Sequence, residues 1–169
     1  MYSVKYEDAG DMPLQTADWT CSACSLAWMN RALRIDIGAD EWAAVDEIGK
    51  PHNINSVYGL MDASGARLAQ CLIEQGAPSW TAWLDWPTAL QYADTHGLLL
   101  GGANWYHWVV ARDVRGSGIW IANSAPGWRG ITDQLEEADF YALGPFAGVV
   151  TPVNYSLPDA SSLSMPSNK

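Results

Sequence analysis

The sequence predicts an α+β fold in which a helical N-terminal half packs on an antiparallel β-sheet formed by the C-terminal half. Up to Gly97, apolar residues recur at the three- and four-residue spacing of amphipathic helices, between residues that favour helix ends. After Gly97 the chain becomes rich in Val, Ile and Trp, and the turn Gly116-Ser117-Gly118 separates two strand-like segments. Because the helices come first and the strands follow, the order does not fit alternating β-α-β units.

Four helices are predicted in the first half, each from a capping residue or a helix-breaking residue at its ends. They run from Cys21 to Leu33, from the N-cap Asp40 to Gly49, from Ser64 to Gly76, and from the N-cap Asp85, with Pro87 in the first turn, to Gly97. Residues 50–61 are predicted to form a loop.

The second half is predicted to form strands around one short helix. Strand-like segments cover residues 98–100, 106–112, 119–121 and 148–151, and the Gly101-Gly102 pair is expected to interrupt the sheet after the first of them. The segment 123–130 is predicted to be a loop, and the acidic segment from Asp133 to Tyr141 a helix.

The chain length fits one domain with a flexible tail. The 169 residues, 18.4 kDa, are enough for a single hydrophobic core and too few for two full domains. Residues 154–169 contain several Ser, two Pro and few groups to bury, so we expect a domain at 1–153 and a flexible tail or linker at 154–169.

The charge balance excludes several classes of partner. Nine Lys and Arg against 19 Asp and Glu give a formal charge of -10, which disfavours nucleic acid and anionic membranes as partners. No apolar run reaches the length of a membrane span, so membrane insertion is not expected. The first residues lack the features of a secretory signal, so the expected location is the cytoplasm of the producing cell. We expect a monomer.

Cys21 is the leading candidate for a nucleophile. It lies at the predicted N-terminus of the first helix, where unpaired backbone N–H groups and the helix dipole favour a thiolate near neutral pH. Taken alone, a cysteine on a helix is more often a small buried side chain. The three cysteines of the chain do not suggest a disulfide framework.

Three further residues supply the groups that a nucleophilic thiol requires. His107 lies in a predicted strand and Asn123 follows the partner strand, so a hairpin would bring an imidazole base beside an amide that orients it. Gln15, six residues before Cys21, has a side-chain amide that can donate to an oxyanion together with the Cys21 backbone N–H. These residues indicate nucleophilic catalysis only together, because each one alone has an ordinary structural explanation.

In this order along the chain, the residues resemble the papain superfamily of cysteine peptidases, and within it the double-glycine branch of bacteriocin-leader peptidases. The matching segments cover about residues 15 to 127: Gln15-Thr-Ala-Asp-Trp-Thr-Cys21, Cys21-Ser-Ala-Cys-Ser-Leu-Ala27, His107-Trp-Val-Val110 and Ile121-Ala-Asn123-Ser-Ala-Pro-Gly127. The chain departs from the branch at Ser22, where Gly is usual, and at Asn123, where Asp is usual.

The resemblance implies a papain-like cysteine endopeptidase without metal or cofactor. Cys21 would attack a peptide carbonyl, His107 would transfer the proton to the leaving amine, Asn123 would orient His107, and Gln15 would stabilise the oxyanion. The expected substrates are peptides, including peptidoglycan stem peptides or small-residue linkers, if the chain is a phage endolysin module that acts at the cell wall after release.

Residues near this constellation are candidates for the substrate cleft. The chain contains ten Trp, most simply explained as core residues, but several flank the candidate catalytic positions. The substrate-binding candidates are Trp19, Ser22, Trp105, Tyr106, Trp108 and Trp128.

Two other functions are also consistent with the sequence. A papain-like domain that has lost catalysis would bind a peptide without cleaving it. A thiol–disulfide protein would use Cys21 and Cys24, which form a Cys-x-x-Cys motif, although the motif lacks the preceding strand that thioredoxin-type proteins have. A zinc site is not expected, because Cys71, His52 and His96 show no paired spacing.

Overall fold

The computed structural model describes residues 9–33, 40–52, 54–56, 59 and 63–152, without the side chains of 48 and 49. These residues contain five α-helices and six β-strands. The helices are α1 (Cys21–Ala32), α2 (Glu41–Ala44), α3 (Ala66–Glu74), α4 (Trp86–Thr95) and α5 (Glu137–Leu143). The strands are β1 (Trp80–Leu84), β2 (Gly97–Gly102), β3 (His107–Arg115), β4 (Gly118–Ala122), β5 (Gln134–Leu135) and β6 (Phe146–Thr151).

The predicted helices α2 and α4 begin at the predicted caps. The Asp40 side chain accepts the Ala43 backbone N–H at 2.9 Å, and the Asp85 side chain accepts the Thr88 N–H at 2.8 Å. Each cap satisfies one of the N–H groups that the first turn of a helix leaves unpaired. After Ala44 the helical path continues through a π turn at Val45–Gly49 and a 3-10 turn at Lys50–His52.

All strands pair antiparallel in one six-stranded sheet with the order β1-β6-β2-β3-β4-β5. The predicted hairpin is confirmed as β3–β4, in which Arg115 pairs with Gly118 and Val110 pairs with Ala122. Together with the helices of the N-terminal half, this sheet confirms the predicted α+β class.

Opposite faces of the sheet carry separate cores, because successive strand residues alternate sides. On one face, Leu99, Val110 and Val149 pack with the apolar residues of α1 and α3. On the other face, Leu98, Val109 and Val150 pack with residues of α4 and α5. The N-terminal end of α1 is thereby held against β3, where the candidate histidine begins the strand.

Several boundaries differ from the prediction. Strand β1 was not predicted, and β5 occupies the start of the predicted acidic helix, which begins only at Glu137. Gly101 and Gly102 do not interrupt the sheet but belong to β2, because large side chains fill the space beside them. A Cβ on Gly101 would lie 2.5 Å from the Trp108 ring, and one on Gly102 would lie 2.9 Å from Phe146.

Two predicted segments fall wholly or partly outside the described residues. The tail at 154–169 lies outside them entirely, and so does part of the loop predicted at 50–61. The rest of that loop contains the 3-10 turn and an isolated bridge between Asn55 and Gly59. Within the described part of the chain, no helix is long and apolar enough to span a membrane.

We expect Leu99→Ala to lower the free energy of unfolding by about 2–5 kcal/mol, because Leu99 is completely buried in the central strand β2 and its truncation leaves a cavity. The matched control is Leu14→Ala, at a leucine that is 61% exposed, with an expected change within about 0.5 kcal/mol. Urea unfolding of the variants measures the difference. Equal losses for the two variants would contradict this assignment of the core.

Candidate active site

Cys21 is the first residue of α1, and the segment before it shapes the start of the helix. Thr20 is the N-cap, but its side chain caps no helical N–H; its hydroxyl donates its one hydrogen to the Glu41 carboxylate, and the hydroxyl oxygen also lies 2.9 Å from the Ala17 carbonyl oxygen. The Thr20 carbonyl accepts the first helical hydrogen bond, from the Cys24 N–H at 3.0 Å. Cys21 therefore lies where backbone N–H groups converge, as predicted.

The Cys21 thiol is protonated in this environment. Burial raises the pKa of the thiol, and the nearby backbone amides of Trp108, Ser22 and Cys21 itself offset only part of the rise. The expectation of a thiolate near neutral pH is therefore wrong for this state of the protein. The helix terminus favours negative charge, but the loss of solvent around the sulfur outweighs that effect.

His107 and Asn123 lie side by side, as the predicted hairpin requires. The His107 ring nitrogen Nε2 lies 2.7 Å from Asn123 Oδ1, and both residues are only 4% exposed. Burial lowers the pKa of His107, while the hydrogen bond with Asn123 raises it. The net lowering leaves the imidazole neutral at neutral pH.

Neighbouring contacts determine which nitrogen of the ring carries the proton. Asn123 Nδ2 donates to the Ile131 carbonyl oxygen at 3.2 Å, and Asn123 Oδ1 also accepts the Ala125 N–H at 2.9 Å. The amide thus turns its oxygen toward the ring, so His107 Nε2 must donate. A neutral ring protonated at Nε2 has its lone pair on Nδ1, and that nitrogen is the one able to act as a base.

The start of β3 connects the histidine to the cysteine. The Trp108 backbone amide, one residue after His107, lies close enough to the Cys21 sulfur to lower its pKa. One turn further along α1, the Ser25 hydroxyl donates to the Trp108 carbonyl oxygen at 3.2 Å. Among the described residues no hydrogen bond joins the thiol to the imidazole, which agrees with a neutral form for each group.

Gln15 lies beside the loop that follows Asn123. Its backbone N–H donates to the Ser124 carbonyl oxygen at 2.9 Å, and the Ser124 hydroxyl donates to Gln15 Oε1 at 2.6 Å. Gln15 Nε2 donates one hydrogen to the Ala17 carbonyl oxygen at 2.9 Å. Because an amide nitrogen has two hydrogens, the second remains to be donated.

Two residues that support this arrangement were not among the predicted site residues. Ser124 orients the Gln15 amide, and the carboxylate of Glu41 accepts hydrogen bonds from Thr16, Ala17 and Thr20. Burial tends to raise the pKa of Glu41, but these hydrogen bonds lower it overall, so the group is ionised. Neither contact follows from spacing, because each joins segments far apart in the chain.

The predicted cleft residues divide into exposed and buried groups. Tyr106 is 75% exposed and Trp128 is 46% exposed, and half-buried Trp19 contacts Trp42 edge to face. Ser22 is buried, and its hydroxyl has no partner in the described part of the chain.

Trp105 does not fit the prediction that it lines a cleft, and Trp108 packs partly against the core. Trp105 is completely buried, and its ring contacts the His107 ring edge to face at 4.9 Å between centroids. Trp108 is half-buried, and its ring packs over Gly65 and Gly101, on the face of the sheet that α1 covers. Trp105, in the turn before β3, belongs to the core on the opposite face, and strand alternation directs Trp108 toward the α1 side.

The second cysteine of the Cys-x-x-Cys motif is buried behind the first. Burial, together with the charge of Glu41, raises the pKa of Cys24 to about 12. Redox motifs of this type depend on a thiol with a lowered pKa, so the environment does not favour the thiol–disulfide function. In the described residues, no group of three His, Cys, Asp or Glu side chains is arranged to hold a metal ion.

Comparison with known proteins identifies a similar fold. A solved structure described as a double glycine motif protease from an AMS/PCAT transporter in complex with the leader peptide is similar to this chain, with a TM-score of 0.63 and 15% sequence identity. The similarity covers 90% of this chain and 99% of the other chain. No protein-family model and no curated protein matches the sequence.

The similarity places this chain in the papain-like class of α+β folds, as predicted. It agrees with the double-glycine branch of the predicted resemblance and lends no support to the endolysin idea. At 15% identity the shared property is the fold, and the activity has to be argued from the residues themselves.

We expect the rate at which iodoacetamide alkylates Cys21 to keep rising with pH beyond pH 9. The reagent reacts with the thiolate, and burial raises the pKa of this thiol. Rates measured from pH 4 to 10, with the modified site assigned by mass spectrometry, test the expectation. Cys21→Ala is the control for site assignment. Fast labelling of Cys21 at pH 5 that is lost in His107→Ala would instead reveal a thiolate–imidazolium pair.

Proposed function

We propose that this protein is a cysteine peptidase that hydrolyses peptide bonds through Cys21, His107 and Asn123, with Gln15 in the oxyanion hole. The observation that carries the proposal is the 2.7 Å contact between His107 Nε2 and Asn123 Oδ1, next to a helix that begins at Cys21. This contact leaves Nδ1 of the ring as the base, and a thiol nucleophile requires a base held in this way.

The neutral resting state determines the order of proton transfers. As the Cys21 sulfur attacks the substrate carbonyl carbon, its proton moves to His107 Nδ1, and the carbonyl oxygen becomes an oxyanion. The second hydrogen of Gln15 Nε2 and the Cys21 backbone N–H donate to that oxyanion. The proton on Nδ1 then moves to the leaving amine as the C–N bond breaks, and water hydrolyses the thioester with His107 again as the base.

Exposed apolar side chains next to the catalytic positions support a peptide as the substrate. Tyr106 precedes His107 and Leu14 precedes Gln15, and these side chains are 75% and 61% exposed. Trp42, 47% exposed, extends the same type of surface from the ring of Trp19. Such groups favour extended peptides with apolar side chains. A leader peptide bound to the similar solved protease makes leader-type peptides the first substrates to test.

We expect the wild-type protein to cleave at least one peptide of a panel that contains leader-type sequences ending in Gly-Gly, small-residue linkers and peptidoglycan stem peptides. Cys21→Ala is expected to abolish cleavage, because it removes the nucleophile. Mass spectrometry of the products gives the scissile bond, and the class of peptide cleaved decides among the substrates. Cleavage that persists in Cys21→Ala would contradict the proposal.

The hydrogen bond between Asn123 and His107 predicts that removing the Asn123 side chain lowers kcat. Asn123→Ala is expected to lower kcat about 100-fold with little change in KM, because the imidazole loses its orientation and its preferred proton position. Asn104→Ala is the matched control, since Asn104 is exposed and its side-chain amide donates to the Gly144 carbonyl oxygen, away from the His107 ring. An unchanged kcat in Asn123→Ala would show that Asn123 has no catalytic role.

Cys24→Ser separates the peptidase from the thiol–disulfide alternative. A peptidase is expected to keep its activity in this variant, because Cys24 lies one turn behind the nucleophile and its thiol is protonated. An oxidoreductase would lose its activity. Peptide hydrolysis and insulin reduction, both measured on Cys24→Ser and on wild type, distinguish these functions.

A further inference from the structure

Glu41 is a buried carboxylate in contact with the segment that leads into Cys21. It is only 5% exposed. It accepts hydrogen bonds from the Thr16 N–H at 2.7 Å, the Thr16 hydroxyl at 2.6 Å, the Ala17 N–H at 3.3 Å and the Thr20 hydroxyl at 2.5 Å. A buried carboxylate is tolerated when hydrogen bonds of this kind satisfy its oxygens.

The anchored segment lies between the two proposed oxyanion donors. Gln15 immediately precedes it, and the Gln15 amide donates to the carbonyl oxygen of Ala17 within it. Cys21 immediately follows Thr20, whose carbonyl accepts the first helical hydrogen bond of α1. A change in the conformation of Thr16–Thr20 would therefore move both donors.

We propose that Glu41 is a positioning residue that holds the Gln15 side-chain amide and the Cys21 backbone N–H in place as an oxyanion hole. The inference rests on the proposed function and adds a residue that acts through the segment without contacting the substrate. Charge-assisted hydrogen bonds are stronger than neutral ones, so the carboxylate restrains the segment more firmly than an amide in its place would. Displacing a donor by a fraction of an ångström weakens its contribution in the transition state.

The position of Glu41 is itself fixed. It is the first residue of α2, a helix capped by the Asp40 side chain through the Ala43 N–H, and α2 packs against α1. The carboxylate thus connects this second helix to the loop that ends at the nucleophile.

Two reagents separate positioning of the oxyanion hole from general support of the fold. Acylation of Cys21 by p-nitrophenyl acetate passes through a tetrahedral oxyanion, with release of p-nitrophenol and formation of acetyl-Cys21. Alkylation by iodoacetamide displaces iodide from a CH₂ group and forms no oxyanion. Both reactions require the same thiolate and the same access to the sulfur, so their ratio reports on the oxyanion hole.

We expect Glu41→Gln to slow acylation about 10- to 100-fold and to change alkylation less than twofold, with the same pH profile for alkylation as wild type. Gln15→Ala is expected to give the same pattern. The matched control Glu137→Gln, which removes a carboxylate from the exposed first residue of α5, is expected to change neither rate. Thr20→Val, which removes one hydroxyl donor and keeps the carboxylate, tests the inference again if Glu41→Gln does not fold.

Any other result would overturn the inference, and the pattern of rates shows which part of it is wrong. Unchanged acylation in Glu41→Gln, with slowed acylation in Gln15→Ala, would remove Glu41 from the oxyanion hole and leave the proposed function intact. A parallel loss of acylation and alkylation would assign Glu41 to the fold alone. Failure of the wild-type protein to form acetyl-Cys21 would overturn the proposed function, and the role of Glu41 with it.

Discussion

The hydrogen bond between His107 Nε2 and Asn123 Oδ1 is the interaction on which the candidate site depends. It joins the first residue of β3 to the loop after β4, so the register of this hairpin determines whether the two side chains meet. Burial strengthens the bond by excluding competing water, and Trp105 covers one side of the ring. The Trp105 indole donates to the Trp128 carbonyl oxygen, and the Trp128 indole donates to the Trp105 carbonyl oxygen, which fixes this cover in place.

The two halves of the fold are joined where the site forms. From the helical half, Ser25 donates to the backbone of Trp108, and Gln15 exchanges hydrogen bonds with Ser124. Both partners in the C-terminal half are next to a candidate catalytic residue, since Trp108 follows His107 and Ser124 follows Asn123. The contacts between the halves therefore also set the positions of the nucleophile and the base. The neutral thiol and neutral imidazole are the consequence of enclosing the pair in this junction.

Local signals in the sequence predicted those parts of the fold that depend on neighbouring residues. Asp40 and Asp85 cap helices because a carboxylate at that position reaches the first-turn N–H, and the Gly116-Ser117 turn closes the hairpin. Parts that depend on distant contacts were missed. Gly101 belongs to a strand because Trp108 fills the space beside it, and Glu41 is buried because three residues from another segment donate to it. The raised pKa of Cys21 could be recognised only from the structure, because the position of a residue at the start of a helix does not reveal how deeply its sulfur is buried.

The most direct test of the central claim is the protonation state of the His107 ring, measured by ¹⁵N NMR of the histidine side chains with His107→Gln to assign the signals. Asn123 Oδ1 requires a proton on Nε2, and the lowered pKa of His107 requires a neutral ring at pH 7. This geometry therefore predicts that Nε2 carries the proton and that Nδ1 has the chemical shift of an unprotonated nitrogen. A neutral ring protonated at Nδ1, or an imidazolium at pH 7, would contradict it.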